Sequence, residues 1–170
     1  NLYTKEYGKL GIIAKGVRSL KNSNRAILQP LNFIDIHYYF KKKRNIQILK
    51  EATLAKHFFE INNDYTKTSY AYNILDTLNQ ICKTENPNAI VFKLSKTVLQ
   101  TLNKCDNIHI KLYYIFFHLQ LMRYLGYQPI LDYCNVCSDH LSQAIYNHKH
   151  GQLECINCTN TNSNNIPINK

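Results

Sequence analysis

Cys134-Asn135-Val136-Cys137, then seventeen residues, then Cys155-Ile156-Asn157-Cys158, is the stretch on which the reading of this 170-residue chain turns. Two Cys-x-x-Cys pairs at that separation have the spacing of a structural zinc site. Two residues between ligands let one tight turn aim two sulfurs at one ion. Zn²⁺ favours a tetrahedral shell of thiolates, and four of them leave no place for a substrate. Between the pairs, residues 140–151 are polar and hairpin-like, with Leu141, Ala144, Ile145 and Tyr146 as their apolar content. So short a segment buries too little surface to order itself, and the metal would supply the folding free energy. The expected ligands are Cys134, Cys137, Cys155 and Cys158 around one structural Zn²⁺. Two disulfides in a secreted domain are the alternative. Against them stand the lack of a signal peptide and a large body that is mostly free of cysteine. A redox dithiol needs one pair only. His140, His148 and His150 lie near enough to replace a cysteine, but four thiolates already complete the shell.

Upstream of the cysteines the chain reads as helical. Residues 51–125 contain no glycine, and Pro87 is their one proline. Leu54, Phe58, Phe59 and Ile61 fit one helical face. Tyr70, Ile74, Leu78 and Ile81 mark a second helix, Leu94, Val98, Leu99 and Leu102 a third, and Leu112, Ile115, Phe116, Leu119 and Met122 a fourth. Each stripe is read as core. Gly126 and Pro129 stop the last helix. Its surroundings, residues 108–125, form the most apolar run. Lys111, His118, Gln120 and Arg123 break that run, so it reads as a buried helix and not a membrane span. Cys82 and Cys105 sit singly in helical contexts, as small buried hydrophobes.

Residues 1–50 read as β structure. They hold three of the five glycines, Gly8, Gly11 and Gly16. Residues 10–14 form a strand candidate, 19–25 a basic loop, and 26–28 an extended run before Pro30. Residues 33–40 are aromatic and β-branched, a strand signal. Lys41 to Arg44 form a turn into an extended piece at 46–49. Short strands with glycine turns imply a small barrel or a strongly twisted sheet. Residues 159–170 are rich in Asn and Thr without periodicity, and read as a disordered tail.

The formal charge of +10 is placed unevenly. Residues 1–50 hold eleven Lys and Arg against Glu6 and Asp35; residues 51–170 hold ten against nine acids. A one-sided basic segment on a near-neutral body is the footprint of a polyanion binder. The candidate phosphate contacts are Lys15, Arg18, Lys21 and Arg25 in one cluster and Lys41, Lys42, Lys43 and Arg44 in another. Tyr3 and Tyr7 precede the first cluster; Tyr38, Tyr39 and Phe40 precede the second. Exposed rings on such a face stack bases, and buried ones fill the core. In a strand, Tyr38 and Phe40 share one face and Tyr39 takes the other, so one set lies inside.

Together these stretches resemble the RecO family of bacterial DNA repair proteins. Tyr3-Thr4, Gly8-Lys9 and residues 14–18 (Ala-Lys-Gly-Val-Arg) carry the resemblance first. Arg25 with Leu28-Gln29-Pro30 carries it next. Residues 125–129 (Leu-Gly-Tyr-Gln-Pro), Leu131, Cys134, Cys137 and Gly151-Gln152-Leu153 before Cys155 complete it. No one stretch is diagnostic; the order and spacing are. The resemblance implies an α+β chain with an N-terminal OB-like β-barrel over residues 1–50, a helical body over 51–133, a four-cysteine zinc finger over 134–158 and a tail over 159–170. Members also have strands before the position of Tyr3 and a helical stretch after the finger, so the barrel here is expected to be incomplete.

The resemblance further implies a recombination mediator of the bacterial cytoplasm. Such a protein binds single- and double-stranded DNA, anneals complementary strands, and contacts single-stranded-DNA-binding protein and RecR while the recombinase is loaded. No covalent chemistry is implied, and none is visible: the sequence has no Gly-rich phosphate loop and no paired carboxylates. Departures at Asn22-Ser23, Asn73 and Gln120, where the family tends to carry charged residues, stop any transfer of partner-binding residues. A zinc deaminase would need a His-x-Glu and a Pro-Cys-x-x-Cys, and both are missing. An RNA-binding zinc protein of transcription or the ribosome is the other reading that charge and aromatics allow.

Overall fold

The computed structural model describes residues 1–17, 24–84, 86–128, 130–159 and 166–168. The element order is β1 (Leu2–Thr4), β2 (Gly8–Ile13), α1 (Asn24–Ile27), β3 (Phe33–Tyr39), β4 (Ile46–Lys56), α2 (Phe59–Asn63), α3 (Tyr65–Ile81), α4 (Ala89–Lys104), a 3-10 turn (Asn107–His109), α5 (Ile110–Tyr124), β5 (Ala144–Asn147), β6 (Gln152–Glu154) and β7 (Ile166–Ile168). The chain is thus mixed α+β. It divides into two compact units, residues 1–121 and 122–170.

In the first unit, four strands make one sheet in the order β1-β2-β4-β3. β1 and β3 run antiparallel to their neighbours, whereas β2 and β4 are parallel, with Gly11 opposite Ile46 and Ile13 opposite Ile48. β4 carries extra residues at Lys50 and Ala55 relative to β3, bulges that increase the local twist. The helices supply most of the core. Phe58, Ile61, Ala71, Ile74, Leu78, Val91, Val98, Leu99, Leu102, Ile110, Phe117 and Leu121 are buried together, and Leu31 joins them. Cys82 and Cys105 pack against this cluster, as expected of small hydrophobes.

Local chemistry sets the helix starts. Asp64 caps α3 by accepting from the Lys67 backbone N–H, and Asn88 caps α4 by accepting from Ile90 and Val91. The Lys67 N–H and then the Asn107 amide hold the Asp64 carboxyl below its usual range. Such a depressed group stabilises the fold at neutral pH, and that contribution is lost as pH falls through its folded value.

The sheet closely approaches the connection between α3 and α4. Gly8 has φ +69°, and a Cβ there would lie 2.5 Å from the Asn86 carbonyl oxygen. Around it, Gly8 and Lys9 bridge to Thr84, and Lys9 Nζ donates to the Asn79 carbonyl at 2.8 Å. Tyr3 and Phe33 both pack on Phe92, and Lys96 Nζ lies 4.3 Å over the Phe33 ring.

Four sequence expectations are corrected. Leu54 does not open a helix, because β4 is one continuous strand through Lys56 and crosses residue 50. Pairing of Leu54 with Ile34 and Ala52 with Ile36 overrides the helical spacing, and α2 begins only at Phe59. Residues 26–28 are not extended. Asn24 to Ile27 make one helical turn, and the Asn32 side-chain amide donates to the carbonyls of Ala26 and Ile27. The fourth stripe is not core. Leu112, Ile115, Phe116, Leu119 and Met122 are exposed, and α5 buries Ile110, Phe117 and Leu121 instead. That helix carries large apolar residues on more than one face, so spacing could not choose its inner face. Within the expected tail, residues 166–168 form β7 on the edge of β5, where Pro167 fits because an edge position can spare an N–H.

Gly8→Ala should destabilise the chain by more than about 1 kcal/mol, through both the positive φ and the clash. A lowered denaturant midpoint with unchanged slope is the expected observation; an unchanged midpoint would contradict the tight approach.

Candidate metal centre and nucleic-acid interface

The four cysteines of the second unit come together. Their Sγ atoms all lie within 4.8 Å of one another, and Cys137 Sγ is 3.8 Å from Cys155 Sγ. Four sulfurs each about 2.3 Å from one ion at tetrahedral angles stand roughly 3.8 Å apart. The donor set therefore fits a metal ion, and it is the one such cluster among the described residues. His140 and His148 meet Tyr133 and Tyr146 edge to face and are not part of it.

The backbone explains the arrangement. After Cys134 the chain turns tightly, with the Ser138 N–H donating to the Cys134 carbonyl and Ser138 at φ +63°. The second knuckle closes with the N–H groups of Cys158 and Thr159 on the Cys155 carbonyl. β5 and β6 form the hairpin between them. Buried Asn147 shapes it by donating to Glu154 at 2.7 Å and accepting from Lys149 and His150. Leu141, Ala144 and Leu153 pack on Cys134 as a small core. So few apolar groups make metal-linked folding the expected regime.

The thiols do not hold their protons equally. Burial opposes ionisation of Cys134, but N–H donors of Cys137, Cys155 and Val136 outweigh it and bring the group to about 6. Cys158 is pushed up to about 12, first by its hydrogen bonds with Cys155 and Cys137. A bound cation reverses such mutual hindrance, so uptake releases protons and acid favours release.

In the first unit the second basic cluster is a defined turn. The Arg44 N–H donates to the Lys41 carbonyl at 3.0 Å, closing a β-turn between β3 and β4. Lys41, Lys42, Lys43 and Arg44 are all exposed. Among the described residues the one ion pair is Lys5–Glu6, so none of the four is neutralised by an acid. One residue missing from the sequence reading shapes this turn. Gln47 is 2 % exposed, its Oε1 accepts from the Lys41 N–H at 2.9 Å, and its Nε2 donates to the carbonyls of Lys41 (3.1 Å) and Arg44 (2.8 Å).

The first cluster is more dispersed. Lys15 follows β2, which by then has run past Ile48 and away from the turn, and Arg25 sits in α1. Arg18 and Lys21 lie outside the described residues. The aromatics do not divide by strand alternation: Phe40 lies beyond the end of β3 and is exposed together with Tyr39, so neither the Tyr38–Phe40 pair nor Tyr39 lies inside as a set. Tyr3 belongs to the core: its hydroxyl donates to the Asn88 carbonyl at 3.3 Å, and burial, then Cys82, pushes its phenol up. Tyr7 and Tyr38 meet edge to face at 6.1 Å. Tyr39 and Phe40, next to the basic turn, are 56 % and 61 % exposed.

No helix among the described residues is long and apolar enough to cross a membrane. A family model described as the N-terminal part of recombination protein O matches residues 1–58, and one for its C-terminal part matches residues 62–170. The chain belongs to the RecO family. Among its relatives is the DNA repair protein RecO of Caldanaerobacter subterraneus subsp. tengcongensis, 28 % identical over 94 % of this chain and 64 % of that protein. The RecO of Alkaliphilus metalliredigens is 28 % identical over 99 % of this chain and 68 % of its own length. That of Chlorobium limicola is 32 % identical over 84 % and 54 %. The chain thus spans roughly half to two thirds of these RecO proteins.

Freshly purified, reduced protein should carry one metal ion per chain by elemental analysis. Cys134→Ser should remove it and make the segment 134–158 the first to be proteolysed, whereas Cys82→Ala and Cys105→Ala should leave the metal content unchanged. Metal-free wild-type protein would contradict the centre.

Proposed function

We propose that this chain is a DNA-binding recombination mediator in DNA repair, acting through the phosphate backbone and without covalent catalysis. The observation that carries the reading is the turn Lys41–Arg44: four exposed cations, none in an ion pair, beside exposed Tyr39 and Phe40. Phosphate contacts hold a strand without reading its sequence, and stacking on a ring tolerates any base. Those are the needs of a protein that anneals complementary strands. The name "DNA repair protein RecO" borne by the relatives supports the biological setting.

On this reading the four-stranded sheet serves as the incomplete OB-like face, and Lys15 and Arg25 extend the phosphate track. The four-cysteine cluster takes Zn²⁺, since four thiolates and a closed shell suit that ion and exclude a substrate. Its role is architectural. Single-stranded-DNA-binding protein and RecR are the proposed protein partners and the bacterial cytoplasm the proposed location. An RNA-bound zinc protein is the outcome to test against.

Affinity for a single-stranded oligonucleotide should fall steeply with salt, at about 0.7 in log–log slope per phosphate contact. Replacing Lys41, Lys42, Lys43 and Arg44 by Ala together should flatten that slope by up to about three units and weaken all sequences alike. Lys15→Ala should act in the same direction but less. Lys93→Ala, on the exposed side of α4, is the control; Lys96 is not, because it covers Phe33. Equal losses from Lys15→Ala and Lys93→Ala would leave only diffuse attraction. Annealing of complementary DNA coated with single-stranded-DNA-binding protein favours the mediator, and a strong preference for RNA without annealing overturns it.

A further inference from the structure

Four cations in consecutive positions repel one another, by roughly 1 kcal/mol for a pair 4 Å apart in water. Left alone, such a loop opens so that its charges separate. Here it is folded into a hydrogen-bonded turn, and the group that holds it is the buried amide of Gln47. Both N–H donors of that amide are used, on the carbonyls at the two ends of the turn, and its oxygen takes the Lys41 N–H. The side chains of the turn are exposed, so what the three hydrogen bonds of the amide fix is the shape of a loop that presents charge to solvent.

We propose that Gln47 is the positioning residue of the nucleic-acid interface. It fixes the geometry of the Lys41–Arg44 turn before a strand arrives, so that binding does not have to order the loop. This rests on the proposed DNA-binding role and goes beyond it, because Gln47 carries no charge and touches no phosphate. Preorganisation raises affinity by removing an ordering cost, and it leaves the number of phosphate contacts unchanged. Charge removal and loss of positioning thus have different signatures. The first lowers the salt slope; the second lowers affinity at every salt concentration with the slope kept.

The test uses the full chain and a fluorescein-labelled single-stranded oligonucleotide of mixed sequence, with anisotropy followed over a salt series. Gln47→Met keeps the volume and removes all three hydrogen bonds. It should weaken binding about tenfold at each salt concentration, keep the slope within about half a unit, and speed amide exchange at Lys41. In the background where the four cations are already Ala, Gln47→Met should change affinity by less than about twofold, since positioning acts only through them. Gln47→Asn is the second variant, should the first fold poorly. It keeps the amide but is one methylene shorter and cannot reach both ends of the turn, so affinity should fall with the slope kept. Equal losses from Gln47→Met in both backgrounds, or none in the native one, would overturn the positioning role while leaving DNA binding intact. Absence of salt-dependent binding by the wild-type chain would overturn both.

Discussion

The approach of β2 to the connection between α3 and α4 is the contact on which the first unit depends. At Gly8 there is no room for a side chain against Asn86, and the bridges to Thr84 join sheet and helices through backbone groups. Tyr3, Phe33 and Phe92 seal the contact with aromatic area, where burial stabilises most. Because β1 and the start of β2 are committed to the helices, the β3–β4 hairpin is left to project its turn into solvent. One part of the sheet is anchored, and the hairpin turn presents charge to solvent.

That charge would be a poor ligand for a polyanion if it were only abundant. An exposed Lys is a mobile point charge, and ordering several at once costs conformational entropy. The hydrogen-bonded turn removes part of that cost, and Tyr39 and Phe40 add sequence-tolerant area beside it. The cysteine cluster solves a different problem in the second unit. Leu141, Ala144 and Leu153 with Cys134 form only a small core, and a metal ion held by the four cysteines would make up for the missing apolar surface.

The sequence was most legible where chemistry leaves few options. Cys134, Cys137, Cys155 and Cys158 meet as their spacing requires, since two-residue gaps can do little else. α3 and α4 follow from their apolar period, and the structure adds Asp64 and Asn88 as the caps at their starts. Legibility failed where two readings share a pattern. α5 carries large apolar residues on more than one face, so spacing points to the stripe through Leu112 and Phe116 as the inner one in place of Phe117. Leu54 and Phe58 share a helical spacing, yet β3 claims Leu54 for the sheet. Gln47 was missed for a sharper reason. In Ile46-Gln47-Ile48, alternation puts the polar residue outside, and the structure puts it inside with Ile46 half exposed. The cue was its place just after a run of four cations, where a buried amide has carbonyls to bind.

The central claim is that nucleic acid meets this chain at the hairpin turn of its sheet. Backbone amide shift mapping with a short single-stranded oligonucleotide tests it directly. The account predicts that the largest perturbations fall on residues 39–47, with smaller ones at Lys15 and Arg25, and that added salt removes them together. Perturbations centred on α3 to α5 or on the cysteine knuckles, with residues 39–47 unmoved, would contradict it.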